Sequence, residues 1–122
     1  MDSLPAAILD LALQEKIKVV VSHPILAEMA RVLHRPRFGF EPRKIGSFLA
    51  LFKSRSKLVF PEKTLTICQE DLSDNRFLEC AETAKVEFLI TGNKSHFPSC
   101  YRNTAVVTPR EFWDTYLLRI AL

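Results

Sequence analysis

Apolar positions recur along the chain in two patterns, a helical spacing of three and four and short continuous runs typical of buried strands. The helical spacing predicts helices that open at Ser3-Leu-Pro5, at Ser22-His-Pro24 and at Pro109, and helices over about Pro42–Lys53 and over Asp71–Ala84. The segment Arg35-Pro36-Arg37 ends the second helix. The apolar runs predict strands at Lys18–Val21, Lys57–Phe60, Phe88–Thr91 and Ala105–Thr108, with a short extended stretch at Thr64–Cys68. Helices that alternate with short apolar strands predict an α/β fold, in which a parallel sheet is covered by helices.

Composition narrows the class of protein. The 122 residues are 48% hydrophobic and 25% charged, which predicts one globular domain over residues 1–122. We expect no membrane partner, because no apolar run approaches the roughly 18 residues that a spanning helix needs. The N-terminus has no basic segment of the kind that opens a secretory signal. The three glycines, Gly39, Gly46 and Gly92, are too few and too scattered for a glycine-rich phosphate-binding loop.

The three cysteines, Cys68, Cys80 and Cys100, are odd in number and widely spaced. This pattern is atypical of a disulfide framework and fits a reducing cytoplasm, where we expect the protein to reside. We interpret the cysteines as small buried hydrophobic residues. A zinc site formed with His96 is the less favoured alternative, because no two cysteines lie close together in sequence.

Charge is unevenly distributed, although the net charge is only +3. The segment from Arg31 to Lys63 contains nine basic residues and two acids. The segment from Glu70 to Glu87 contains six acids and two basic residues. A basic segment beside an acidic one is expected where a protein holds a polyanion next to a metal ion. Two solvated helix faces of opposite sign would give the same pattern.

Four polar residues lie where a parallel sheet would bring them to one edge: Glu28, Asp71, Asp74 and Asn93. Carboxylate and amide oxygens suit Mg²⁺ or Mn²⁺, which promote phosphodiester cleavage. Each residue also has a simpler interpretation. The Asp71-x-x-Asp74 spacing is typical of a helix cap, a lone glutamate is usually on the surface, and asparagine after glycine is common in turns.

Four segments in this order resemble the PIN domain, in the branch of toxin components of prokaryotic toxin–antitoxin pairs. They are Val20–Glu28 with Arg31–Leu33 and Arg35-Pro36, then Asp71–Leu78, Phe88–Pro98 and Val107–Phe112. The resemblance spans nearly the whole chain and implies a three-layer α/β/α fold.

The resemblance implies a metal-dependent single-strand ribonuclease that uses Mg²⁺ or Mn²⁺ and is blocked by a cognate antitoxin. Glu28 and Asp74 would be metal-site acids, and Asp71 a supporting acid or helix cap. Thr91 and Asn93 occupy the loop where many relatives place a further aspartate. Because Asn93 is neutral, this corner of the site would hold metal more weakly, or only through the Asn93 amide oxygen. Supporting and RNA-contacting roles are assigned to the following residues: Thr91 and Asn75 as supporting residues, and Arg31, Arg35, Arg37 and Lys94 as RNA contacts.

The chain departs from the family pattern at its beginning. The family opens with a hydrophobic strand that ends in an Asp-Thr-Asn-type motif, whereas here Met1 leads directly into Asp2-Ser-Leu-Pro5. About twenty residues, one strand and part of a helix, are missing by this comparison, and Asp2 does not replace the absent acid. We therefore expect weak or no independent catalysis. The neighbours of the missing strand would have unpaired edges, which predicts a homodimer or a sheet closed by other segments.

Two other classes of function fit the same sequence. One is a non-catalytic module that binds nucleic acid or an antitoxin through the basic segment, and the other is a purely structural interaction domain. Phe38, Phe40, Phe48 and Phe52 lie within the basic segment and have the character to stack on bases. The helical spacing of Phe48 and Phe52 favours the core for that pair.

Overall fold

The structure, a computed structural model, describes residues 3–121. The expectation for Asp2 therefore lies outside the described residues. The helices are α1 (Leu4–Leu13), α2 (His23–Leu33), α3 (Pro42–Ser54), α4 (Asn75–Ala84) and α5 (Pro109–Ala121). The strands are β1 (Val19–Val21), β2 (Ser56–Leu58), β3 (Phe88–Ile90), β4 (Cys100–Tyr101) and β5 (Thr104–Val107). The predicted α/β class is confirmed.

Helix starts follow from local sequence. The Ser3 hydroxyl accepts the Ala6 N–H at 3.2 Å, and the Ser22 hydroxyl accepts the Ile25 N–H at 3.4 Å. Each serine caps a helix that has proline in its first turn, where the missing N–H is not needed. The cap at Ser22 fixes α2 directly after β1.

The strands form two separate sheets within the described residues. β1 pairs in parallel with β2, from Val19 opposite Ser56 to Val21 opposite Leu58. β3 pairs in parallel with β5, and β4 adds to the other edge of β5 in antiparallel direction. The parallel pairings follow the prediction, whereas the antiparallel strand β4 was not predicted. A groove of about 830 Å³ lies between β1 and β3 (here called the central groove), and no strand among residues 3–121 pairs with both sheets.

Two hydrophobic clusters support this architecture. The first contains Ala12, Val21, Ile25, Phe52, Val59 and Cys80, and the second contains Cys68, Leu78, Ala81, Leu89 and Val106. Phe77 of α4 packs against both clusters. The helix α4 therefore holds the two sheets together. Cys68 and Cys80 are buried as expected, but the expectation for Cys100 was wrong, because Cys100 is exposed on β4.

Three predicted elements differ from the structure. The strand expected over Lys57–Phe60 is observed at Ser56–Leu58. The helix expected over Asp71–Ala84 begins at Asn75, after a 3₁₀ turn at Leu72–Asp74. Residues 64–68 pair with no strand, because side chains of α4 hydrogen-bond their backbone instead. The Leu65 N–H donates to the Glu79 carboxylate and the Cys68 N–H to the Asn75 amide oxygen, both at 2.7 Å.

Candidate functional site

Glu28 lies on the second turn of α2, the helix that leaves the carboxyl end of β1. Its carboxylate is paired with Arg31, whose Nε donates to Oε2 at 3.0 Å and whose Nη2 contacts Oε1. This hydrogen bond holds the pKa of Glu28 below its usual value and outweighs partial burial and the nearby Asp71 carboxylate, which act in the opposite direction. Glu28 is therefore ionised at neutral pH but already has a cationic partner.

Asp71 and Asp74 lie at either end of the 3₁₀ turn that precedes α4. Asp71 caps this turn, because its Oδ1 accepts the Ser73 N–H at 3.0 Å and the Ser73 hydroxyl at 2.6 Å. These bonds lower the pKa of Asp71. Asp74 is more enclosed, with 18% of its side chain exposed. Partial burial raises the pKa of Asp74, although a hydrogen bond to His96 opposes the effect.

His96 joins the acidic residues, a contact for which the sequence analysis had no prediction. Its Nδ1 lies 3.3 Å from Asp74 Oδ2, and its Nε2 lies 3.1 Å from Glu70 Oε2. Only an imidazolium has two N–H donors, so only the charged ring donates to both carboxylates. The sequence signal for His96 was limited to its place inside the third segment, Phe88–Pro98, because the contact with Asp74 spans 22 positions.

The structure brings three of the predicted acids into one electrostatic cluster. Asp71 and Glu28 each add to the raised pKa of Asp74, and Asp71 also acts on Glu28. The cluster lies beyond the carboxyl ends of β1 and β3, since α2 follows the first strand and the His96 segment follows the second. This is the edge where ligands bind in open α/β folds.

Thr91 and Asn93 form the turn that leaves β3. The Asn93 N–H donates to Thr91 Oγ1 at 3.0 Å, and the Asn93 carbonyl accepts the His96 N–H at 2.9 Å. Asn93 itself is exposed. In the structure these two residues therefore shape the loop that carries His96.

Asn75 is 1% exposed and connects α4 to the segment before it. Its amide oxygen accepts the Cys68 N–H at 2.7 Å, and its amide nitrogen donates to the carbonyls of Cys68 and Leu72, both at 3.0 Å. These three bonds fix the backbone on both sides of Asp71. Asn75 thereby positions the turn that carries Asp71 and Asp74, and its three hydrogen bonds all go to backbone groups.

The basic residues predicted to contact RNA have different environments. Arg31 holds Glu28, and Lys94 Nζ lies 3.0 Å from the Glu111 carboxylate. Arg35 is half-buried just after the end of α2 and contributes to the lowered pKa of Glu28. Arg37 lies over the Phe38 ring, 5.0 Å from its centroid. Two of the four cations are therefore partly neutralised by acids.

Aromatic residues of the basic segment divide as their spacing predicted. Phe52 is buried and Phe48 packs against the first hydrophobic cluster, which confirms their place in the core. Phe38 and Phe40 are exposed and stack on each other at 5.6 Å. Together with Arg37 they form an exposed cationic and aromatic surface (here called the Arg37 surface).

The donor chemistry of the cluster suits a hard divalent ion, but the ligand set is small. Among residues 3–121, no group of three or more histidine, cysteine, aspartate or glutamate side chains is arranged to hold a metal ion. Glu28 and Asp74 offer carboxylate oxygens, the ligands that Mg²⁺ and Mn²⁺ prefer, and such ions commonly keep several water ligands. The residues therefore fit a weakly held, mostly hydrated ion.

No helix in the described part of the chain is long and apolar enough to cross a membrane.

Comparison with known proteins identifies the family of the chain. The PIN domain family profile matches residues 1–95. An uncharacterized protein of Methanocaldococcus jannaschii is 33% identical over 128 residues, a match that covers 94% of this chain and 81% of the relative. No solved structure matches the chain. With an α/β fold, an acidic cluster at the carboxyl edge of its strands and a family match over most of its length, the chain belongs to the PIN domain family.

Proposed function

We propose that the protein derives from a metal-dependent single-strand endoribonuclease of the toxin–antitoxin type and acts in the cytoplasm. One observation carries the proposal: Glu28, Asp71 and Asp74 form one electrostatic cluster at the carboxyl edge of the strands in a PIN domain. A cluster of carboxylates is stable in the folded protein only if something compensates for their repulsion. In the described structure Arg31 and His96 compensate in part, and Mg²⁺ or Mn²⁺ would compensate further.

Each residue has a distinct part in this proposal. Glu28 and Asp74 would hold the ion, and Asp71 would support them through the turn that it caps. The bound ion would activate water and neutralise charge on the RNA phosphate. His96 holds Asp74 in place from the side of the β3 loop.

Catalysis by this chain is expected to be weak. Asn93 offers a neutral amide where many relatives are expected to have an acid. With Glu28 bound to Arg31 and Asp74 bound to His96, an ion must compete with two existing side-chain partners. A small and occupied ligand set predicts low affinity for metal.

The proposal is tested by titrating Mn²⁺ into the 122-residue protein and measuring heat, then assaying cleavage of a single-stranded RNA with and without EDTA. We expect one weak Mn²⁺ site that Glu28→Gln weakens at least about tenfold. The matched control is Asp114→Asn, which alters an exposed acid of α5 that is paired with Arg110 on the same helix. Equal binding by both variants, or none by the wild type at millimolar Mn²⁺, would exclude the proposed metal site. Strong RNA cleavage that Asp74→Ala abolishes would contradict only the expected weakness.

A second candidate function is a non-catalytic module that binds RNA or an antitoxin. The absence of a three-residue metal group among the described residues favours it, as does the exposed Arg37 surface. RNA binding that is unaffected by EDTA and by Glu28→Gln would select this function. A cognate antitoxin and a homodimer belong to both proposals, and the sedimentation coefficient of the purified protein tests the dimer.

Arg31→Gln is expected to strengthen Mn²⁺ binding severalfold while weakening RNA binding. Removing the guanidinium frees both Glu28 oxygens and takes away a positive charge that repels the ion. The same charge would otherwise attract phosphate. Calorimetry with Mn²⁺ and fluorescence anisotropy with labelled RNA measure the two effects separately. A parallel loss of both affinities would show that Arg31 only maintains the structure of α2.

Arg37→Gln is expected to lower RNA affinity a few-fold and to reduce the slope of log affinity against log salt by about 0.7. The reason is that Arg37 projects from an exposed aromatic pair, where a phosphate and a base can be contacted together. Arg110→Gln is the control, because Arg110 is also exposed but lies on α5. Anisotropy titrations at several salt concentrations measure the slope. The same slope for both variants would place the RNA elsewhere.

A further inference from the structure

A pocket of about 530 Å³ lies at the end of α4 that is farther from the clustered acids. Asp74 directly precedes α4, whereas Glu82, which lines the pocket, lies eight positions later, about 12 Å along the helix. The volume is within the range of sites that enclose a small molecule. The other walls are the segment after β2 and the turn between β4 and β5, so we call it the hairpin pocket. Its principal lining residues are Phe60, Lys63, Glu82, Lys85 and Arg102.

Three cationic side chains line the hairpin pocket, one from each of its walls. They are Lys63 after β2, Lys85 at the end of α4 and Arg102 in the turn before β5. The side chains of Lys63 and Arg102 are 71% and 62% exposed, and Lys85 is also exposed. Lys85 forms no ion pair with a carboxylate within residues 3–121. The pocket therefore presents cations that a ligand can reach from solvent.

Lys85 and Arg102 occupy backbone positions that favour glycine. Lys85 has a φ of 54° at the C-cap of α4, and Arg102 has a φ of 55° in the turn between β4 and β5. A Cβ atom crowds the backbone in this left-handed region, so helix ends and tight turns usually have glycine or asparagine there. Three described residues other than glycine have a positive φ, and these two line the same pocket. Because such strain clusters at ligand sites, the two cations are candidate binding residues.

A buried hydrogen bond holds the two cation-bearing turns side by side. Thr104, the first residue of β5, is 2% exposed, and its hydroxyl donates to the Val86 carbonyl at 2.6 Å. Val86 follows Lys85 directly, and Thr104 lies two positions after Arg102. The backbones that carry the two cations are therefore fixed relative to each other. A site that is fixed before binding has less conformational entropy to lose when a ligand arrives.

Glu82 places a carboxylate between the cations. Arg102 Nε lies 2.8 Å and Lys63 Nζ 3.9 Å from Glu82 Oε1, and the Tyr101 hydroxyl donates to the same oxygen at 3.4 Å. The side chain of Glu82 is only 16% exposed, so these contacts hold it in place. Oε2 accepts no hydrogen bond from residues 3–121. It can accept one from a hydroxyl group of a ligand, as carboxylates do from the ribose of nucleotides.

Phe60 adds an aromatic surface to the pocket. It is 67% exposed, and its ring lies 5.7 Å from the ring of His23. An exposed aromatic ring beside cations is typical of sites that stack a base and contact its phosphate. Glu62, an exposed acid, also lines the pocket, so the walls offer acceptors as well as donors. A matching ligand has an anionic group, hydroxyl groups and a flat ring.

We propose that the hairpin pocket binds a nucleotide. The phosphate would contact Lys63, Lys85 and Arg102, a ribose hydroxyl would donate to Glu82, and the base would stack on Phe60. This unit occurs as a free mononucleotide and at the phosphorylated end of an RNA chain. The inference involves neither a metal ion nor the acids before α4, so it stands or falls independently of the proposed nuclease function.

The test is a titration of the 122-residue protein with adenosine 5′-monophosphate in the presence of EDTA. We expect saturable one-to-one binding by calorimetry. Backbone amide chemical shifts should change most at Phe60, Lys85 and Arg102 and least near Asp74. Inorganic phosphate and adenosine each have only part of the ligand. Each should bind at least about tenfold more weakly, because it loses either the stacked base or the charge-assisted hydrogen bonds.

Lys85→Gly separates binding from structure. The variant removes the cation and also relieves the left-handed backbone, so the Tm should equal or exceed that of the wild type while nucleotide affinity falls at least about tenfold. Lys44→Gln is the matched charge control, because Lys44 is an exposed lysine on α3, and it should leave the affinity unchanged. Phe60→Ala should weaken nucleotide binding at least about fivefold without changing the affinity for inorganic phosphate.

The proposal is overturned if the nucleotide does not bind at millimolar concentration, if its shift changes centre on Asp74, or if Lys85→Gly and Lys44→Gln bind alike. Phosphate that binds as tightly as the nucleotide would also overturn it, because the base would then have no part. Competition with a short RNA that carries either a 5′-phosphate or a 5′-hydroxyl distinguishes the two sources. Displacement by the phosphorylated RNA alone would assign the pocket to an RNA end, and displacement by neither would assign it to a free nucleotide.

Discussion

Replacing Asn75 with alanine is expected to lower the free energy of unfolding by about 2–4 kcal/mol. The substitution removes three hydrogen bonds at a side chain that is 1% exposed. It leaves the buried Cys68 N–H and carbonyl without their partner, and an unsatisfied buried group loses more than the bond itself contributes. Thermal unfolding followed by circular dichroism should show a fall in Tm of about 10 °C.

Two further variants separate hydrogen bonding from shape. Asn103→Ala changes an exposed asparagine in the turn before β5 and should leave Tm nearly unchanged. Asn75→Asp keeps the shape and the acceptor for Cys68 but loses both donated bonds at neutral pH. We expect it to destabilise the protein at least as much as alanine, because it also buries a charge beside two other acids. A change below about 0.5 kcal/mol for Asn75→Ala would contradict this account of the turn.

Much of the fold was predictable because its signals are local. Serine followed by proline marked the starts of α1 and α2, and β-branched runs marked β1 and β5. The pairing of the strands carries no such local signal. Periodicity predicts a strand but not its neighbour, so the division into two sheets and the antiparallel β4 required the structure. The extended segment at residues 64–68 was misjudged for the same reason, since Glu79 and Asn75 satisfy its backbone from α4.

The site was predictable in its residue types more than in its contacts. The structure pairs Glu28 with Arg31, whereas the sequence analysis assigned Glu28 to a metal site and Arg31 to RNA; their three-residue spacing on one helix is compatible with this pair. The same spacing of Asp71 and Asp74 predicted a helix cap, and Asp71 caps the 3₁₀ turn that precedes α4 instead of α4 itself. The contact of His96 with Asp74 joins residues far apart in sequence, and no pattern within either segment indicates it.

Asp74→Asn is expected to weaken Mn²⁺ binding by at least about tenfold. The variant keeps the shape of the side chain but loses its charge, and Asp74 is the most enclosed of the three clustered acids. Calorimetry with Mn²⁺ measures the loss, and Asp114→Asn again serves as the control on α5. Unchanged affinity would remove Asp74 from the proposed site.

The same variant should be more stable than the wild type at neutral pH. Burial raises the pKa of Asp74 above its value in the unfolded chain, so the folded state holds this proton more tightly. The contribution of Asp74 to stability is then largest at low pH and declines as pH rises through the raised pKa. We expect the Tm of Asp74→Asn to match that of the wild type in acid and to exceed it as the carboxyl ionises. The reverse order would mean that the bond to His96 outweighs burial.

The affinity for Mn²⁺ should depend on the same ionisation of Asp74, but it should increase with pH where stability decreases. A divalent ion binds the ionised carboxylate, so protons compete with it below the raised pKa of Asp74. The affinity of the wild type for Mn²⁺ should rise by up to about tenfold per pH unit in that range and then level off. In Asp74→Asn this dependence should be lost, since the titrating group is gone. A functional carboxylate is expected to destabilise the metal-free protein and to bind the ion. A purely structural acid would show neither effect.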